Sequence, residues 1–245
     1  MEICKSFLKK LGRQILNLLC PPRCPICRET VDEAHCLCPN CYGKLNFITH
    51  PCCEICGRPF EYAAFNSVVC GSCLKNKPKF SMARSILEYD DFSKQLILSF
   101  KHGDRTDLTP ILVKFLLLAD PKIFENVDMI VPVPQHWARR FKRQYNQASL
   151  LGKVLGKQKG ISFNPSILRR IKNTESQGHK LRKQREQNVK GVFHVMTPDK
   201  IRGKTILVID DVMTTGATLN ECAKVLRRAG AKEVKAITVY RVINL

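Results

Sequence analysis

Residues 205–219, TILVIDDVMTTGATL, decide the fold. Thr205 to Ile209 are β-branched or apolar after the turn residue Gly203, the pattern of a strand buried on both faces of a parallel sheet. Asp210 and Asp211 fall at its carboxyl end, where open α/β sheets bind their ligands. Thr214, Thr215, Gly216, Ala217 and Thr218 follow as a loop, then a helix over 219–229 that Gly230 closes. Free N–H groups at a helix start favour a phosphate. The two carboxylates would repel a bare phosphate, but both can accept hydrogen bonds from sugar hydroxyls and either can reach Mg²⁺. The stretch therefore suits a phosphorylated ribose.

The string VIDDVMTTGAT, residues 208–218, resembles the 5-phosphoribosyl-1-pyrophosphate (PRPP) loop of type I phosphoribosyltransferases. The resemblance implies a catalytic and PRPP-binding site in which Asp210 and Asp211 hold the ribose hydroxyls. Thr214, Thr215, Gly216, Ala217 and Thr218 would then wrap the 5′-phosphate.

The chain has 245 residues, enough for one or two domains with a sizeable core. Its formal net charge of +20 points to a polyanionic partner or a strongly anionic substrate. Twelve of its thirteen cysteines lie in residues 1–73, and eight form the pairs Cys24/Cys27, Cys38/Cys41, Cys53/Cys56 and Cys70/Cys73. Repeated Cys-x-x-Cys spacing reads as metal, hence a reducing, cytoplasmic setting. Two successive four-cysteine zinc ribbons fit it, with two structural Zn²⁺ supplying the core that so short a segment lacks. The expected pairing joins the first knuckle to the second and the third to the fourth, although crossed pairing satisfies the same spacing. Cys20, Cys36 and Cys52 read as spare thiols, with His35 close enough to a knuckle to substitute as a ligand, and Cys4 and Cys222 read as packing residues.

Residues 1–20 have apolar positions at helical spacing broken by Lys9, Lys10 and Arg13, which predicts an amphipathic helix and no membrane span. Residues 21–80 are the expected double ribbon, and 81–245 a single α/β domain with a mostly parallel central sheet. Within it the pattern predicts strands at 84–89, 128–134 and 167–170, and two more, 192–195 and 233–242, flanking the central one. Helices are expected over 93–100, 109–119 and 146–157. Lys101, His102, Gly103 and Arg105 form a basic turn. Residues 135–190 carry +13 of the net charge, with Trp137, Phe141 and Tyr145 among Arg139, Arg140, Lys142 and Arg143. Such a mixture can stack bases and neutralise phosphates. The polar stretch 171–191, with Lys180, Arg182 and Arg185, reads as a hood over the site.

The order of these elements resembles the ComF (ComFC-like) family. It comprises paired cysteine knuckles, the Lys101…Gly103…Arg105 turn, VPVP at 131–134, YNQA at 145–148, Arg169-Arg170 leading into the hood, and the PRPP loop. The chain departs at Gln144, where the family pattern has glycine. The resemblance implies a type I phosphoribosyltransferase fold with Zn²⁺ and Mg²⁺, and Val133, Pro134 and Gln135 as pyrophosphate contacts. It also implies cytoplasmic handling of single-stranded DNA in natural transformation, with Arg139, Arg140, Lys142, Arg143, Arg182 and Arg185 as nucleic-acid contacts. A helicase or recombination mediator would be the protein partner. The alternative is an active phosphoribosyltransferase of nucleotide salvage with no DNA role; the sequence identifies no acceptor for one.

Overall fold

The structure is a computed structural model that describes residues 21–62, 68–102, 105–135, 145–171 and 191–243. The expected helix over 1–20, the hood over 172–190 and the basic segment 136–144 lie outside these residues. The chain divides into two compact units, residues 1–45 and 46–245.

In the first unit a knuckle forms at Cys24-Pro-Ile-Cys27. Cys24 N–H donates to the Glu29 carbonyl (2.8 Å) and Arg28 N–H to the Cys24 carbonyl (2.9 Å), with Arg28 at φ +69°. The Cys38 side that completes the group opens the short helix α1 (Pro39–Gly43) and accepts from Cys41 N–H through its Sγ. The second unit repeats the device. Cys53 N–H donates to the Arg58 carbonyl and Gly57 N–H to the Cys53 carbonyl, both at 2.8 Å, and Cys70 opens α2 (Gly71–Lys75). Here the left-handed position is a true glycine: at Gly57 (φ +67°) a Cβ would stand 2.7 Å from the Ala83 carbonyl oxygen.

Each group of four sulfurs, Cys24/27/38/41 and Cys53/56/70/73, lies within 4.8 Å of itself. Cys27 and Cys38 Sγ are 3.5 Å apart, and Cys56 and Cys70 Sγ 3.7 Å. A zinc–sulfur distance of about 2.3 Å in a tetrahedron sets sulfurs about 3.8 Å apart, so both sets fit Zn²⁺. The pairing is first with second and third with fourth, as expected. Cys36 and Cys52 stand outside both sets, and Cys222 is fully buried in a helix of the larger unit.

That unit is built on five parallel strands in the order β1 (Met82–Glu88), β7 (Glu233–Arg241), β6 (Thr205–Met213), β2 (Met129–Pro132) and β3 (Ser162–Phe163). The remaining helices are α3 (Lys94–His102), α4 (Thr109–Leu116), α5 (Gln147–Lys159) and α6 (Ala217–Arg228). Alternation along the strands assigns the layers. Ile206, Val208, Val131 and Ala236 join Leu219, Cys222 and Leu226 of α6 on one face, while Ile130 and Ile209 meet α5 on the other. The second cysteine group belongs to the α6-side core, with Phe80, Ala83 and Met213.

One expectation is corrected. Residues 192–195 do not flank the central strand; β5 (Phe193–Val195) pairs antiparallel with β4 (Leu168–Arg170) in a separate ribbon, and β6 lies between β7 and β2. The reason is burial on one side only: Phe193 and Val195 are buried and His194 is exposed, whereas an interior parallel strand is covered on both faces.

α5 approaches the sheet through glycine. A Cβ on Gly152 would lie 2.7 Å from Phe163 Cε2 and 3.1 Å from Ile209 Cγ2. Helix propensity alone favours alanine there by about 1 kcal/mol, whereas overpacking costs roughly 1–3 kcal/mol. We expect Gly152→Ala to lower the urea midpoint; a raised midpoint would refute the close-approach account. Metal analysis of the purified chain should give about two zinc per molecule, and Cys53→Ser about one, with loss of the cooperative fold around residues 46–80 on chelation.

Candidate functional site

β6 runs on beyond its apolar core, so Asp210 and Asp211 lie within its last turn of pairing, with Asp210 opposite Thr238 of β7. Asp211, 9% exposed, forms an ion pair with Lys101 Nζ at 3.0 Å, which brings the end of α3 to the acidic pair. Asp210 Oδ1 accepts from Asp211 N–H at 2.9 Å. Burial, with the Asp211 carboxylate beside it, pushes the Asp210 carboxyl up to about 8, against the opposing pull of that hydrogen bond and of Lys101 and Arg170.

The loop that follows turns through Gly216 at φ +80°, where a Cβ would stand 2.7 Å from Met213 Cε. Gly216 is also the N-cap of α6 and, being glycine, offers that helix start no capping side chain of its own. Thr215 Oγ1 accepts from Ala217 N–H at 3.3 Å, which curls the loop over the helix end. The result is a helix N-terminus whose positive end opens beside two carboxylates. Such a pairing accepts an anion and hydroxyl groups carried on one molecule.

Across the sheet, β2 ends in Val133-Pro134-Gln135. Val133 N–H continues the ladder to the Ile209 carbonyl at 2.9 Å, so this loop starts level with Asp210. Three consecutive residues hold it in place. Tyr145 Oη donates to the Phe100 carbonyl (2.9 Å), next to Lys101. Asn146 caps α5 by accepting from Ser149 N–H, and its Nδ2 donates to the Val133 carbonyl at 3.1 Å. Gln147, 1% exposed, accepts from Gln135 Nε2. The YNQ segment is thus a clamp on two loops at once.

Asp210, Asp211, the loop Thr214–Thr218 and Val133–Gln135 all lie at the carboxyl ends of β6 and β2. Arg139, Arg140, Lys142, Arg143, Arg182 and Arg185 lie outside the described residues. Sequence reasoning gave no site role to Lys101, Gln147 or Arg241. Lys101 had a signal in the Lys-x-Gly-x-Arg turn. Arg241 had none: it is an arginine inside an apolar strand, 4% exposed, and its Nη1 donates to the Cys56 carbonyl and to Met213 Sδ. It ties the second cysteine group to the residue on which the loop rests.

A family model described as a double zinc ribbon domain matches residues 15–74, and one described as a phosphoribosyl transferase domain matches residues 157–244. The chain is 33% identical to "Competence protein F" of Haemophilus influenzae over 87% of its own length and 94% of that protein's. It is 28% identical to "DNA utilization protein YhgH" of Salmonella typhimurium, over 90% of each chain. Among solved structures, adenine phosphoribosyltransferase of Saccharomyces cerevisiae aligns at 19% identity and a TM-score of 0.40, over 67% of this chain and 81% of that one. A parallel sheet, two four-cysteine groups and a relative alignable nearly end to end agree: the chain belongs to the ComF family, a double zinc ribbon joined to a phosphoribosyltransferase domain.

Proposed function

We propose that the α/β unit binds PRPP with Mg²⁺ and that the protein handles single-stranded DNA in the cytoplasm during natural transformation. The observation that carries the first part is the convergence of Asp210 and Asp211 with a glycine-turned helix start at the end of one buried strand. On this reading Asp210 and Asp211 accept hydrogen bonds from the ribose 2′- and 3′-hydroxyls. The loop Thr214, Thr215, Gly216, Ala217, Thr218 receives the 5′-phosphate, and the Val133-Pro134-Gln135 loop meets the pyrophosphate. Lys101 holds Asp211 in place through their 3.0 Å ion pair. Mg²⁺ would neutralise pyrophosphate charge as it develops.

The DNA role is supported by the names of the relatives, which speak of competence and DNA utilization, and by the +13 charge of residues 135–190. Arg139, Arg140, Lys142, Arg143, Arg182 and Arg185 would contact phosphates, and a helicase or recombination mediator would dock on the ribbons. Where this family keeps catalysis, the reaction is displacement at C1′ of PRPP. A salvage enzyme would instead leave DNA affinity no higher than net charge gives.

Titration calorimetry should detect binding of PRPP with Mg²⁺. Asp210→Asn/Asp211→Asn removes two hydrogen bonds to charged groups and should weaken it on the order of 100-fold; unchanged affinity would refute the assignment. Charge reversal at Arg139, Arg140 and Arg143 should cut single-stranded DNA binding and flatten its salt dependence while leaving PRPP binding intact.

The pH dependence has a defined sign. Asp210 is raised from 3.8 to about 8, so below that pH the free protein holds a proton that the ionised, ligand-accepting form must release. PRPP affinity should therefore rise with pH up to about 8, by as much as about tenfold per unit, and then level off. In Asp210→Asn that slope should vanish.

A further inference from the structure

A cavity of about 470 Å³ opens between the second cysteine module and the start of α6, and residues 214–217 form one of its walls. Its opposite wall includes Arg58, Ser72 and Lys79, and its α6 side includes Asn220 and Lys224. Arg58 is set by the knuckle itself, since its carbonyl accepts from Cys53 N–H. Lys79 is set by its backbone N–H, which donates to Asn220 Oδ1 at 2.6 Å, while its residue stays exposed. Glu221 is the one carboxylate on this lining, and it is spent on Lys224 Nζ (3.2 Å) and Gly191 N–H (3.0 Å).

Arg241 lines the same cavity from its buried side, 4% exposed, with its guanidinium held on the Cys56 carbonyl and Cys56 Sγ. The lining therefore combines the surface-reaching cations Arg58 and Lys79, the buried guanidinium of Arg241, and a Lys224–Glu221 pair that cancels its own charge. Its volume is that of a nucleotide-sized pocket and far exceeds what one phosphoryl group needs.

We propose that this cavity is a second anion subsite, which receives a nucleotide-sized substituent carried on the phosphate held by the 214–218 loop. The ligand class is a nucleotide whose 5′-phosphate is joined to a second nucleotide, through a phosphodiester or through a pyrophosphate. The proposal rests on the loop being a 5′-phosphate site, as argued above. It gives the second cysteine module a task beyond folding: it supplies Arg58, Ser72 and Lys79 as the far wall, and through Cys56 it fixes Arg241.

The test is calorimetric titration of the full-length, zinc-loaded protein with four probes. These are ribose 5-phosphate, AMP, 5′-phosphorylated diadenylate (a phosphodiester) and diadenosine diphosphate (a pyrophosphate). At least one dinucleotide should bind about tenfold more tightly than AMP, and which one does so identifies the linkage. Arg58→Ala/Lys79→Ala, at two surface-reaching positions, should erase that gain with the zinc content and the ribose 5-phosphate affinity unchanged. Ribose 5-phosphate binding with no gain from either dinucleotide overturns the second subsite alone. So does a gain that survives in Arg58→Ala/Lys79→Ala. Failure of ribose 5-phosphate to bind overturns the loop reading and this proposal with it.

Discussion

A strand buried on both faces can show polar groups to a ligand only at its end. β6 obeys that constraint: Thr205 to Ile209 are all buried, and the first ionisable side chains along it are Asp210 and Asp211. Since its neighbours β7 and β2 run parallel to it, their ends arrive on the same side, and the loops after β6 and β2 converge there. The cost of placing two adjacent carboxylates at such a point is visible in Asp210, whose carboxyl burial and the Asp211 charge push up to about 8. Lys101 relieves the pair from outside the sheet.

The second cysteine group is part of this arrangement. Its sulfurs lie in the same core as Met213, Leu219 and Cys222, and Arg241 reaches from the last position of β7 to Cys56 and Met213. Met213 in turn packs beneath Gly216, whose φ of +80° is one that side-chain-bearing residues rarely adopt. Metal-bound thiolates bring net negative charge into the protein interior, and a buried arginine beside Cys56 is the natural compensation. A zinc ligand, a buried cation and the turn of the loop thus form one continuous set of contacts. The first cysteine group, in residues 24–41, builds the same knuckle with Arg28 at the left-handed position where the second has Gly57. The glycine is demanded by the Ala83 carbonyl that packs against it, not by the knuckle.

Much of this was legible in the sequence because it rests on local, periodic signals. The apolar run into paired acids marked β6 and its loop, and Cys-x-x-Cys spacing marked the eight clustered sulfurs, while their division into two sets came from the tertiary structure. What escaped depends on tertiary contact. Residues 192–195 looked like any short strand, and only the exposure of His194 distinguishes a ribbon strand from an interior one. Lys101 was visible as a basic residue but its partner, Asp211, is 110 residues away in the chain. Arg241 reads as an interruption of an apolar strand, and nothing nearby in sequence announces Cys56 as the group it serves.

Tyr145-Asn146-Gln147 shows why adjacency in sequence can outweigh type. Tyr145 and the extended Asn146 (φ −100°, ψ 115°) lead into the first helical residue, Gln147, so three neighbours at the chain's entry into α5 reach three different targets. Here they reach the Phe100 carbonyl at the end of α3, the Val133 carbonyl after β2, and Gln135 two residues further on. The first target fixes Lys101 and, through it, Asp211; the other two fix the loop opposite Asp210. A motif that makes no claim to chemistry of its own therefore sets the distance between the two halves of the site. Because each contact is a hydrogen bond to a fixed backbone carbonyl or to a buried amide, a shift of α5 along its axis would disturb both halves together. The close seat of Gly152 and Gly156 against Phe163, Ile209 and Ile130 is what prevents that shift. The glycines of one helix face and the polar residues at its entry thus serve a single end, which is to hold the loops after β2 and α3 at a fixed height above the acidic pair.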